Sequence, residues 1–184
     1  EQNSPAGTGN VLEVAPGSCQ TGGEFNSAWY VFSPQTNGVL NFELIPNNLN
    51  DDYDWSLFDI TENGCAGITN GSSPEVSCNS YGETGGIQGT TGISSANGGS
   101  GNSNGPGNLN GPAFNGDLNV TAGNIYALVV MNYSSTLNGY NLDFGTSPVS
   151  IFDNESPTVV SYDFNWCTGL LQIELSEDVD MTGI

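Results

Sequence analysis

Three aspartates lie within the short sequence Asn50-Asp51-Asp52-Tyr53-Asp54, where a polar loop leads into a predicted strand. Calcium takes about six to eight oxygen ligands, and a loop with closely spaced Asp side chains can supply several of them. The EF-hand pattern is not met, because neither its central Gly nor its closing Glu is in place. The segment therefore predicts either a calcium site at Asp51, Asp52 and Asp54 or a solvated acidic turn.

Further oxygen ligands would have to complete such a calcium shell. Asn50 lies next to the aspartates in the sequence and could be one of them. Backbone carbonyls are another source. The more distant candidates are Glu24, Asn132 and Asp143.

Four cysteines and a composition rich in Gly, Asn and Ser are typical of an exported protein with disulfide bonds. Cys65 and Cys78 enclose a short loop, and we predict a disulfide between them that would stabilise the fold by about 3 kcal/mol. Cys19 and Cys167 would then pair across a domain boundary or find partners elsewhere. A zinc site of four thiolates is not indicated, because the chain contains no C-x-x-C spacing.

The chain of 184 residues carries 20 carboxylates and no lysine, arginine or histidine, so its formal net charge is −20. Nucleic acid and anionic membrane surfaces are excluded as direct partners, because no side chain could neutralise phosphates. Catalytic sites that need His, Lys or Arg are excluded as well. No sequence motif singles out a pair of catalytic carboxylates, and we expect the chain not to be an enzyme. The carboxylates are therefore solvated, hydrogen-bonded to backbone N–H groups or neutralised by bound cations.

The aromatic residues fall into two groups. Those with strand-like alternation indicate core packing rather than a sugar-stacking platform, and they are Trp29, Tyr30, Tyr53, Trp55 and Phe58. Those in loop-like surroundings are predicted to contact a ligand, and they are Tyr81, Phe114 and Tyr133.

Strand patterns dominate the sequence, and no convincing amphipathic helix is present. Hydrophobic or alternating segments bounded by Gly, Asn and Pro occur at Ser27–Phe32, Val39–Ile45, Asp52–Ile60, Ile125–Met131 and Tyr140–Phe144. Short strands of this kind predict an all-β protein, an antiparallel β-sandwich with a jelly-roll-like layout. No apolar run approaches ~18 residues, so no membrane-spanning helix is predicted.

The patterns divide the chain into a first β domain over residues 1–147, a linker at 148–157 and the beginning of a second β-sandwich at 158–184. Residues 81–116 are so poor in large apolar side chains that we expect an extended surface loop there. The second pattern is too short for a complete sandwich, and the chain starts without Met or a signal peptide. We therefore expect a mature N-terminal part of a longer exported polypeptide.

Several segments resemble a jelly-roll module of large exported proteins from the Bacteroidetes group, similar in layout to bacterial pre-peptidase C-terminal and CUB-like domains. The segments are Trp29–Pro34, Gly38–Phe42, Asn50–Asp59, Cys65, Cys78-Asn79, Tyr126–Asn132 and Gly139–Gly145, so the resemblance covers roughly residues 10–150. The tail, with Cys167-Thr168-Gly169 and Leu175–Asp180, resembles the start of an Ig-like module.

The resemblance implies secretion by the type 9 system and display at the cell surface, as in large adhesins that support gliding. The sorting domain of that system is missing here, so the export route is only inferred. The family module is a non-catalytic unit carried by adhesins and by secreted hydrolases alike.

We therefore expect a non-catalytic extracellular binding or adhesion module of a large secreted cell-surface protein, with calcium as its possible ion. Its partners would be an extracellular or cell-surface protein or polysaccharide and further domains of the same polypeptide. The alternatives are an accessory carbohydrate-binding domain of a secreted hydrolase and a structural subunit of an extracellular fibre.

Overall fold

The computed structural model describes residues 13–20, 26–82, 89–105, 111–151, 158–165 and 167–175. The chain divides into two compact units, Glu1–Phe152 and Asp153–Ile184. Both units consist of strands, and the predicted all-β class is confirmed. Among the described residues, no helix has the length and apolar character needed to cross a membrane.

The strands of the first unit are β1 (Ala28–Phe32), β2 (Gly38–Leu40), β3 (Phe42–Pro46), β4 (Tyr53–Asp59), β5 (Glu75–Asn79), β6 (Thr91–Ile93), β7 (Ser103–Asn104), β8 (Phe114–Asn115), β9 (Leu118–Val120), β10 (Tyr126–Asn132) and β11 (Tyr140–Asp143). A short helix, α1 (Ala66–Asn70), and a 3-10 turn at Ser95–Asn97 complete it. The second unit contains β12 (Val159–Asn165) and β13 (Leu170–Leu175).

Two sheets of the first unit pack face to face. One has the strand order β1-β10-β4-β5-β7 and the other β11-β3-β6-β8, while β2 and β9 form a separate pair. Most neighbours are antiparallel, but β5–β7 and β6–β8 are parallel. Tyr53, Trp55 and Leu57 of β4 point between the sheets and belong to the main core. We call this side of the five-stranded sheet its inner face and the opposite side its outer face.

The outer face carries a second apolar cluster. β10 is buried along its whole length, because Leu128 and Val130 enter the main core while Val129 and Met131 enter the outer cluster. This double burial explains why β10 reads as a continuous hydrophobic run rather than an alternating one.

Residues 13–20, which we call the N-terminal strap, lie across the outer face. Val14 is buried in the outer cluster, and the Ala15 amide donates to the Ile68 carbonyl of α1 over 3.3 Å. Further along, the Gln20 side-chain amide donates to the Trp55 carbonyl over 2.9 Å. A disulfide joins Cys19 of the strap to Cys78 of β5, with a Cα–Cα distance of 6.0 Å.

The predicted Cys65–Cys78 disulfide is therefore wrong. Cys78 lies opposite Ser56 in the β4–β5 pair, whereas Cys65 lies outside the pair, at the start of α1 in the connection between the two strands. Closeness in sequence did not bring the two thiols together, because β5 carries Cys78 back along the sheet. Cys65 and Cys167 are both free and exposed.

The disulfide pairing makes a direct prediction about stability. Replacing Cys19 by Ser should lower the free energy of unfolding by about 4 kcal/mol, because the bond closes a loop across a sequence separation of 59. The measurement is denaturant unfolding under non-reducing conditions. Cys65→Ser is the matched control and should change stability by less than about 0.5 kcal/mol. A large loss in the control with none in Cys19→Ser would reverse the assignment.

The expected surface loop at 81–116 is also wrong for the parts of it that the structure describes. β6, β7 and β8 lie in this segment. β7 belongs to the five-stranded sheet, and β6 and β8 belong to the four-stranded sheet. Gly92 in β6 has a φ of +149° and so close an approach to β3 that a Cβ would meet the Phe42 carbonyl oxygen at 2.2 Å. Residues 83–88 and 106–110 of the predicted loop lie outside the described residues.

Buried asparagines hold this Gly- and Asn-rich segment in the sandwich. The Asn79 side-chain nitrogen donates to Asn115 Oδ1 over 3.0 Å, and Asn104 Nδ2 donates to Asn79 Oδ1 over 3.2 Å. Asn115 Nδ2 in turn donates to Ser77 Oγ and to the Cys78 carbonyl. Each amide offers donors and acceptors, so a segment without large apolar residues can be buried with its polar groups satisfied.

Removing the Asn115 side-chain amide should destabilise the fold. We expect Asn115→Ala to lower the free energy of unfolding by about 3 kcal/mol, because it leaves Ser77, the Cys78 carbonyl and Asn79 with missing partners. The measurement is urea unfolding followed by tryptophan fluorescence. Asn102→Ala removes one exposed bond to the Val76 carbonyl and should cost less than about 1 kcal/mol. Equal losses in the two variants would show that the buried network adds nothing.

The second unit is an antiparallel hairpin in which Tyr162 lies opposite Ile173 and Phe164 opposite Leu171. These four side chains share one face and are exposed by 75%, 53%, 37% and 52%. The other face is more polar, and there Ser161 Oγ donates to Glu174 Oε2 over 2.7 Å. The predicted Ig-like domain stays a prediction, and residues 176–184 of it, like 152–157 of the predicted linker, lie outside the described residues.

Candidate functional site

Two of the three predicted aspartates stand side by side. Asp54 lies in β4 opposite Met131, a residue of the outer cluster, so its side chain belongs to the outer face. Asp52 is two residues earlier and therefore shares that face. The Asp52 backbone is fixed from the neighbouring loop, since its amide donates to Ser134 Oγ over 2.6 Å and its carbonyl accepts from the Tyr133 amide over 2.9 Å. We call Asp52 and Asp54 the acidic pair.

The acidic pair is electrostatically unfavourable as it stands. Burial, together with the smaller effect of the neighbouring Asp52 charge, raises the pKa of Asp54 to about 8. Burial also raises the pKa of Asp52 to about 6. Within the described residues no hydrogen-bond donor reaches the Asp54 carboxylate, and the chain has no cationic side chain to pair with it. A bound cation would remove this conflict.

Asp51 points elsewhere. It is only 2% exposed, and its Oδ2 atom accepts hydrogen bonds from Thr136 Oγ1 over 2.7 Å and from Asn138 Nδ2 over 2.9 Å. These bonds join the loop before β4 to the loop after β10. Asp51 is therefore a buried carboxylate satisfied by neutral donors, and the structure does not place its side chain with the acidic pair.

The other proposed ligands are scattered. Asn50 is exposed, and its backbone and side-chain nitrogens both donate to Asn48 Oδ1. Asp143 lies opposite Glu43 in the four-stranded sheet, across the core from the acidic pair, and its Oδ1 accepts from the Gly145 amide over 2.7 Å. Asn132 Oδ1 is buried without a hydrogen-bond partner among the described residues, but it ends β10 opposite Tyr53, an inner-face residue. Glu24 lies outside the described residues.

Two of the three predicted ligand-contact residues lie near the acidic pair. Tyr133 directly follows β10, is 61% exposed, and bonds through its amide to the Asp52 carbonyl. Tyr81 follows β5 and its amide donates to Asn79 Oδ1 over 2.8 Å, which places it at the same end of the five-stranded sheet. Phe114 lies in β8 opposite Gly92, in the other sheet, and is half-buried.

The sequence did not reveal an apolar cleft on the outer face. The cleft has a volume of about 370 Å³, and its lining residues include Trp29, Val31, Cys65, Ile68 and Ala127. It forms because α1 and β1 flank the outer side of β10. No local pattern indicated it, since α1 has only five residues and gives no helical periodicity.

No protein-family model matches the chain, and no curated protein or solved structure matches it either. The resemblance to a Bacteroidetes surface module therefore stays a prediction.

The raised pKa values predict an unusual pH dependence of stability when divalent cations are removed by a chelator. Because both folded-state pKa values lie above the ordinary aspartate value of 3.8, the folded state binds the protons more tightly than the unfolded chain. Their contribution to stability is complete below about pH 4 and is lost as the pH rises through about 6 and then about 8. We expect the melting temperature to fall across this range, as measured by calorimetry in chelator.

Asp54→Asn should reduce the fall in melting temperature between about pH 6 and pH 9, because the amide that replaces the carboxyl group cannot ionise. Asp143→Asn removes an exposed charge on the other sheet and should leave the slope almost unchanged. A wild-type melting temperature that rises between pH 5 and pH 8 in chelator would contradict the unfavourable burial of the acidic pair.

Proposed function

We propose that this chain is a non-catalytic extracellular binding module of a large secreted cell-surface protein, that it serves adhesion, and that calcium bound at the acidic pair stabilises it. The observation that carries the proposal is the position of the acidic pair: two partly buried carboxylates with raised pKa values, bonded through the Asp52 backbone to the loop that presents Tyr133.

The donor set of the acidic pair suits a hard cation. Asp52 and Asp54 would supply carboxylate oxygens, which calcium prefers. Ser56, the next residue on the same face of β4, is fully buried and its Oγ has no hydrogen-bond partner among the described residues. A buried oxygen without a partner among the described residues, beside two partly buried carboxylates, favours a bound cation at this position. The ion would add the positive charge that no side chain of this chain can provide.

Calcium at this position would order a contact surface. The loop after β10 exposes Tyr133 and Leu137, by 61% and 68%, and the loop before β4 exposes Leu49, by 57%. The two loops are cross-linked by Asn47, whose side chain donates to the Asn138 carbonyl over 2.8 Å. We call Leu49, Tyr133 and Leu137 the loop surface. Exposed apolar side chains beside an acidic site fit a neutral or cationic partner, such as an extracellular protein or polysaccharide.

Composition supports the absence of catalysis and the extracellular location. Without His, Lys or Arg, most general-base, nucleophile and oxyanion arrangements have no residues to build them. The Cys19–Cys78 disulfide favours an oxidising compartment such as the cell exterior.

The outer-face cleft favours a second candidate, an accessory carbohydrate-binding domain of a secreted hydrolase. Trp29 lines the cleft together with Thr69 and Glu13, and an aromatic side chain flanked by polar groups is a common setting for a sugar ring. The two candidates differ in where a ligand would bind, because the cleft lies beside α1 and the loop surface lies at the end of β10.

The proposed function is tested first by ion-dependent stability. Calcium should raise the melting temperature more than magnesium does, since magnesium prefers tighter octahedral sites. At a hundredfold excess over Kd the gain is about 2.7 kcal/mol, or several degrees. The double variant Asp52→Asn/Asp54→Asn should lose the difference, whereas Asp143→Asn should keep it. Sodium chloride at matched ionic strength controls for screening, and equal shifts from all three salts would refute the calcium site.

Adhesion is tested on the same proteins. Beads coated with the chain should bind extracellular protein or polysaccharide surfaces in calcium and release them in chelator, and Tyr133→Ser/Leu137→Ser should bind less without losing stability. Loss of binding in Trp29→Ala, but not in the loop-surface variant, would favour the carbohydrate-binding candidate. If the loop surface bound its partner equally well without calcium, the contact surface would not depend on the ion.

A further inference from the structure

A second group of metal-ligating side chains lies where the strap meets β5. The sulfurs of Cys19 and Cys78 and a carboxylate oxygen of Glu75 all lie within 4.8 Å of one another. Glu75 is held in place by the strap, because its Oε1 accepts from Ser18 Oγ and its Oε2 accepts from the Cys19 amide over 3.1 Å. Ser103 Oγ lies 3.5 Å from the Cys78 sulfur. In the oxidised chain the disulfide occupies both sulfurs, so the group binds no ion in that state.

The group borders a cavity at its Glu75 end. A cavity of about 230 Å³ adjoins it, and Ser18, Phe58, Pro74 and Glu75 are among its lining residues. Glu75 is half-buried, whereas Cys19 and Cys78 are 5% and 1% exposed. An ion or a small reductant would therefore have to approach the two buried sulfurs from the Glu75 side.

We propose that reduction of the Cys19–Cys78 disulfide creates a site for a thiophilic divalent ion such as Zn²⁺, held by the two thiolates and Glu75. The electrons come from a small thiol or phosphine reductant. Two thiols R–SH reduce the disulfide to two Cys–SH groups and leave as R–S–S–R, whereas a phosphine does so with one water molecule and leaves as the phosphine oxide. Binding of the ion then forms two metal–sulfur bonds and releases the two thiol protons to solvent. Water from the adjoining cavity would fill the fourth position.

The spacing of the ligands fits such an ion. Zinc–sulfur bonds of about 2.3 Å place two thiolates of a tetrahedral site somewhat under 4 Å apart. The Cys19 and Cys78 Cα atoms are 6.0 Å apart, so the sulfurs can separate to that distance by side-chain rotation, with little movement of either backbone. Two thiolates and a carboxylate crowded together also repel one another, and a divalent ion offsets most of that charge.

The consequence is a strap that stays attached in both redox states. The disulfide holds residues 13–20 on the outer face in oxidising surroundings, and the ion would hold them there in reducing ones. The site differs from the acidic pair in ligand type, since thiolates select zinc-like ions whereas calcium takes oxygen ligands only. The proposal is independent of the calcium site.

The test uses the 184-residue chain with Cys65→Ser and Cys167→Ser, so that Cys19 and Cys78 are the remaining thiols. The probe is Co²⁺, added to protein reduced with a phosphine. We expect one Co²⁺ per chain, with the charge-transfer absorption of cobalt–thiolate bonds and the visible bands of tetrahedral cobalt, both removed by Zn²⁺. The oxidised protein should show neither absorption.

Ligand identity is tested in the same background. Glu75→Gln should weaken Co²⁺ binding at least tenfold, while Glu62→Gln, an exposed carboxylate on the connection before α1, should not change it. Circular dichroism follows the fold, and Zn²⁺ should restore the melting temperature that reduction lowers. The proposal is overturned if Co²⁺ gives the reduced protein no such absorption and Zn²⁺ does not raise its melting temperature. It is also overturned if the Glu75→Gln and Cys19→Ser variants gain the absorption and the melting temperature as fully as the protein that keeps both residues.

Discussion

The lack of any cationic side chain is the constraint on which the polar structure of this chain depends. Each of its 20 carboxylates must be solvated, bonded to neutral donors or neutralised from outside. Buried carboxylates follow different routes. Asp51 accepts from Thr136 and Asn138, and Glu75 accepts from Ser18 and the Cys19 amide. Among the residues that the structure describes, no donor reaches the Asp54 carboxylate, and its raised pKa expresses the cost of burying a charge.

Buried asparagines stabilise this fold where other proteins use ion pairs and apolar side chains. Asn79, Asn104 and Asn115 are buried, and their amides connect two short strands of the Gly- and Asn-rich segment, β7 and β8, to β5. An amide needs no counter-ion and both gives and accepts hydrogen bonds, so it can be buried in a chain that has only negative charges. The Asn79 amide of β5 and the Thr91 hydroxyl of β6 both donate to the Ala113 carbonyl, so the residue before β8 is held by both sheets.

The strands that follow hydrophobic patterning could be predicted, and those held by polar side chains could not. The predicted strands Asp52–Ile60 and Ile125–Met131 correspond closely to β4 and β10, because alternating or continuous apolar residues indicate that these strands are buried. β6, β7 and β8 carry almost no such signal, since hydrogen-bonded amides and a tight Gly92 contact bury them. The disulfide was missed because the position of the strap over β5 is a long-range property.

The sequence alone also did not predict which of the aspartates lie together. The sequence placed Asp51, Asp52 and Asp54 in one group, but strand alternation turns Asp51 away from the other two, so only the acidic pair remains on the outer face. The strap ends close to that face as well, because Gln20 bonds to the Trp55 carbonyl between Asp54 and Ser56. Whatever holds the strap on β5 therefore also restricts the backbone of β4 next to the acidic pair. The disulfide is attached to β5, and the acidic pair lies on or next to the neighbouring strand β4 of the same sheet, so strap attachment and cation binding should stabilise the same folded state.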